Sequence, residues 1–80
     1  MMRFYFDIVE DGEVAPDEEG VLLPDMEAVK REVALSLAEI GRDVIRVNWG
    51  PDTRHEVAIE ARTDEGPILE AKLIIEINRR

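Results

Sequence analysis

Eighty residues, 45% of them hydrophobic and 36% charged, carry a formal net charge of −9 and no cysteine. That suffices for one domain with a single core, at the small end of the size range, where a second subunit adds stability by covering more apolar surface. It excludes a disulfide framework, a thiolate nucleophile and a thiolate metal site, and no apolar run approaches the ~20 residues of a membrane span.

The opening stretch RFYFDIV alternates, with Phe4, Phe6 and Ile8 on one side and Arg3, Tyr5, Asp7 and Val9 on the other, which is the period of a half-buried strand. Asp11-Gly12 follows, a pair suited to the positive φ angles of a two-residue hairpin turn. A brief second strand through Val14 and Ala15 is expected, held to an edge by Pro16, which has no N–H to give to a ladder. Asp17-Glu18-Glu19-Gly20 reads as a second turn, and Val21-Leu22-Leu23-Pro24 as a lead inward, with Leu22 or Leu23 stapled onto the coming helix. Asp25 is the expected N-cap, and Glu27 sits favourably near the positive end of the helix dipole.

From Met26 onward, Val29, Val33, Leu37, Ile40, Val44 and Val47 recur at steps of three and four, and Ala34, Ala38 and Ile45 widen the stripe. This predicts an amphipathic helix of about twenty residues. Gly41 falls inside it and marks a close backbone approach or a slight bend. Residues 48 to 53, NWGPDT, end the helix. The chain then closes on a hairpin, HEVAIEAR and ILEAKLIIEIN around the turn at residues 64 to 67. The reading is an α+β fold of order ββαββ, one antiparallel sheet with a single helix on one face, and no internal repeat. Its expected core is Phe4, Phe6, Ile8, Val33, Leu37, Ile40, Val57, Ile59, Leu73 and Ile75.

The inventory for chemistry is thin. Ser36 is the only serine and lies mid-helix, and His55, the only histidine, is expected on a solvent-facing strand position. The glycines fall in turns or the helix, so no phosphate-cradling loop is formed, and no calcium-loop register starts at Asp11 or Asp17. No catalytic residue, cofactor or metal is expected, and the protein is not expected to be an enzyme. A carboxylate-dependent enzyme stays as an alternative, one that requires acids with raised pKa values in a concave pocket.

The charge is concentrated, because nine acids against Arg3 give the first 27 residues a local charge of −8. Nucleic acid and anionic membranes are therefore unexpected partners, whereas a basic protein surface is favoured. Candidate partner-binding residues are Asp17, Glu18 and Glu19 in the acidic turn, Trp49 as a loop aromatic, and Tyr5 and Ile74 on the sheet face away from the helix. Each has a structural alternative: turn and capping chemistry for the acids, a lid over one end of the core for Trp49, and ordinary exposed surface for the sheet face.

Taken in order, FYFDI, DG, PDEEGVLLPD and LAEIGRD resemble a family of small uncharacterised bacterial proteins, common in rhizobia and related alphaproteobacteria. There an aromatic strand ending in Asp precedes a similar D-x-E-G-x-x-L-P-D and an Ala-rich helix. The resemblance spans nearly the whole chain and implies no activity. Residues 4 to 40 are also similar to the N-terminal domain of HicB-like antitoxins, where a strand, an acidic Gly-containing turn, PD and a helix occur in that order. The DNA-binding segment usual there is not among these eighty residues. The functional expectation is a noncatalytic cytoplasmic module, a homodimer that binds another protein, with an antitoxin-like acidic binder of a basic partner as the alternative.

Overall fold

The computed structural model describes residues 1–47 and 54–80. The alternating opening builds β1 (Met2–Glu10), and Asp11 and Gly12, at φ of 49° and 85°, turn it into β2 (Glu13–Ala15). Both turn residues have positive φ, so the turn matches the right-handed twist of its strands. Val21–Leu23, expected only to lead inward, forms a third short strand, β3, antiparallel to Met2–Phe4. β2 takes the other end of β1, beside Ile8–Glu10. β4 (Arg54–Thr63) and β5 (Gly66–Glu76) complete an antiparallel sheet ordered β2-β1-β4-β5, with β3 also on β1.

One helix, α1 (Met26–Val47), lies across this sheet, so the fold is α+β, with one strand beyond the expected four. Asp25 caps it: Oδ1 accepts the Ala28 N–H at 2.8 Å, and the Asp25 carbonyl accepts the first helical bond from Val29. Val29, Val33, Leu37 and Val44 are buried against Phe4, Val57, Ile59 and Ala61, and Phe6, Ile8, Leu23, Ile40, Leu69, Ala71 and Leu73 pack around them. Gly41 is the close approach that its position suggests. A Cβ there would stand 2.5 Å from Leu73 Cδ2, so the helix backbone rests directly on β5.

The stripe is narrower than its apolar spacing implies. Ala34, Ala38 and Ile45 are exposed, and Val47 is 78% exposed at the helix end. Ile75 is only half-buried and stands outside the core cluster, and Leu23 rather than Leu22 packs inward. The reason is the helix's placement over β4 and β5. One flank, at Gly41, meets β5; the other, at Ile40, Asp43 and Val47, borders a shallow groove with Ile8, Glu10 and Ala15 of β1 and β2.

Candidate functional site

β2 and β3 leave the middle of β1 without a strand neighbour on their side, and a carboxylate takes the strand's place. Asp17 Oδ2 accepts the Phe6 N–H at 3.1 Å, while Oδ1 accepts the N–H groups of Glu19 and Gly20 at 3.1 and 3.0 Å. Gly20 is required at the end of this turn. Its φ is +71°, and a Cβ would meet the Phe4 carbonyl oxygen at 2.9 Å. The side chain of Arg3 closes the loop from outside, Nη1 donating to the Glu19 carbonyl at 2.7 Å.

Alternation places Asp7 of β1 and Arg62 of β4 on the sheet face away from the helix, with Tyr5 directly opposite Arg62. Asp7 Oδ1 accepts the Asp17 N–H at 2.9 Å and Oδ2 accepts Arg62 Nε at 2.8 Å. Arg62 also donates from Nη2 to the Asp17 carbonyl at 3.0 Å, and its guanidinium lies 4.5 Å from the centre of the Tyr5 ring. One cation thus joins β1, β4 and the acidic loop by charge-assisted bonds and a cation–π contact.

The electrostatics follow from these contacts. The Arg62 hydrogen bond holds the Asp7 carboxyl below its ordinary value, helped by the Asp17 amide, against burial that pushes it up. Burial also pushes Asp17 up, but the amides of Gly20, Phe6 and Glu19 together with the Arg62 charge outweigh it, and the net direction is down. Glu76 at the end of β5 is lowered by the Asn78 amide and, after the opposing effect of burial, by Arg54. Each of these acids is thus set to remain a carboxylate through neutral pH, with its oxygens already engaged by protein donors. Around Asp7 and Asp17 such a constellation positions a loop; it is poorly arranged to exchange protons with a substrate.

Of the residues singled out in the sequence, the fold brings Tyr5 and Asp17 together and leaves Glu18 and Glu19 exposed on the loop they belong to. Ile74 is 50% exposed but belongs to the opposite end of the sheet, across from Glu56 on β4. Trp49 lies outside the described residues. Asp7 and Arg62 were not singled out; the signal was their shared outward parity, but the contact spans 55 positions and needs the strand register. His55, expected to face solvent, is half-buried across from Ile75. Among the described residues, no group of three or more His, Cys, Asp or Glu is placed to hold a metal ion. No described helix is long and apolar enough to cross a membrane.

No curated protein and no solved structure matches the chain. A family model does match, over residues 3–73, taking in β1, the clamped acidic loop, the helix, β4 and most of β5. The chain therefore belongs to the family described as Domain of unknown function (DUF6894).

Proposed function

We propose that the protein is a noncatalytic module, working in a reducing cytoplasm, that binds another protein with a basic surface through the acidic loop between β2 and β3. The observation that carries this reading is the double role of the loop's acids. Asp17 is spent on backbone, so the loop has a fixed shape, while Glu18 and Glu19 project from it into solvent. A pre-shaped loop loses less conformational entropy on binding than a floppy one, so its charges are better used. The lowered carboxyls of Asp7, Asp17 and Glu76 also favour this reading over a carboxylate-dependent enzyme, which requires raised ones.

The test is a pull-down from cells that make the protein, comparing wild type with the doubly reversed Glu18→Lys, Glu19→Lys chain. A partner retained by wild type should be lost from the variant and should elute with moderate salt, since exposed charges are screened over about 10 Å at 0.1 M. Equal retention of every captured protein by both chains would overturn the reading.

A further inference from the structure

We propose that two copies of the chain pair antiparallel through the outer edge of β5, centred on Ala71, so that the two sheets become one and the two helices pack side by side. This goes beyond the reading above and stands apart from it, because it uses the β5 edge and not the acidic loop.

The edge is open. Phe6 turns its N–H away from β4, so the odd residues of β1 face β4; carrying the alternation through both registers points the odd residues of β5 toward β4. The amides and carbonyls of Ile68, Glu70, Lys72, Ile74 and Glu76 therefore point outward, and among the described residues no strand meets them. A strand of eleven residues with such an edge is a template for another strand.

The sequence along that edge fits its own copy. Outward from Ala71 it reads Glu70 and Lys72, then Leu69 and Leu73, then Ile68 and Ile74. A two-fold axis at Ala71 sets Glu70 against the partner's Lys72 on the open face, twice over. It sets Leu69 against the partner's Leu73 on the helix face, and brings Ile68, at the bulge, alongside the partner's Ile74. Moving the axis to Glu70 or Lys72 places a charge against its own copy, and a one-residue slip would set outward-pointing backbone groups against residues whose groups are already turned to their own β4.

The helix supplies an independent observation. Its flank above β5 is marked by Gly41 on Leu73, and Ala34, Ala38 and Ile45 share that flank while remaining exposed. With strands about 4.8 Å apart, a helix seated over β4 and β5 stands roughly 5 Å from the axis, so the two helices would be about 10 Å apart, a packing distance that small side chains suit. The single chain exposes 5886 Å², where a compact 9.1 kDa monomer exposes about 4,900 Å². The excess, roughly 1,000 Å², is comparable with the ~800 Å² that each partner contributes to a standard interface.

Light scattering on the full chain, with circular dichroism to check folding, decides the matter. The expected mass is twice the 9.1 kDa of one chain. Glu70→Lys, which sets lysine against lysine twice across the axis, should weaken the dimer by about tenfold. Adding Lys72→Glu to it restores opposite charges and should recover the dimer. Ala38→Arg, on the exposed helix flank, should weaken it independently. A mass of one chain at high micromolar concentration overturns the proposal, as does a dimer that folded Glu70→Lys and Ala38→Arg chains leave unchanged. A monomer that still captures a partner through Glu18 and Glu19 removes the dimer alone; a β5 dimer whose captured proteins are all kept by the Glu18→Lys, Glu19→Lys chain removes only the acidic-loop reading.

Discussion

Cutting the Asp17 side chain back to a methyl leaves the N–H groups of Phe6, Glu19 and Gly20 without their acceptor. Hydrogen bonds to a charged group are the stronger kind, and water reaches this half-buried site, so Asp17→Ala should cost about 2 kcal/mol. For a domain of this size that is a melting temperature lower by roughly 10 °C, read by thermal circular dichroism. Glu18→Ala and Glu19→Ala, which remove exposed side chains, should leave the transition where it was. A melt unmoved by Asp17→Ala would mean the loop is held by Arg3, Arg62 and the Asp7 carboxylate alone. The turn itself was legible in sequence, because Asp at its start and Gly at its end have local physical causes. Its anchoring was not: Asp7 and Arg62 are adjacent only once β1 and β4 have taken their register.

Helix α1 shows the same division between local and non-local information. Its start at Asp25 and its buried residues Val29, Val33, Leu37 and Val44 follow from capping and a 3.6-residue period, both written within the segment. Ala34, Ala38 and Ile45 look like core by spacing, yet whether a flank is covered depends on where the sheet ends beneath it, and a helix sequence carries no record of that. β3 was missed for a related reason, since three residues show too little alternation to distinguish a strand from a lead-in; the Met2–Phe4 segment it pairs with decides. For the covered side the energetics are firm. Leu37, 7% exposed within the core cluster, should lose about 2 to 5 kcal/mol on truncation to Ala through lost transfer energy and the cavity left behind. The midpoint of urea unfolding should drop accordingly while the slope stays constant, and a near-wild-type midpoint would mean that the helix seat is looser than its packing indicates.

Across the whole molecule two electrostatic effects act in opposite directions as acid is added. A chain at −9 repels itself at neutral pH, and approaching its isoelectric point of about 4.5 relieves that repulsion and favours the folded state. Asp7 and Asp17, however, are held below the ordinary carboxyl value of 3.8 when folded and revert to it when unfolded. The unfolded chain therefore takes up protons first, so their contribution is complete above that value and is lost as pH falls through it toward their folded values. Stability should then pass through a maximum near pH 5 and decline steeply below about pH 4. The two limbs can be separated. Added salt should flatten the neutral limb, which comes from exposed charges, and leave most of the acid limb, whose carboxylates bond directly to Arg62 and backbone amides. Asp7→Asn should be less stable than wild type at neutral pH yet show a shallower acid decline, since one of the lowered carboxyls no longer titrates. Urea titrations from pH 3 to pH 7 measure both, and an acid limb of equal steepness in Asp7→Asn would show that the clamp is not what acid dismantles.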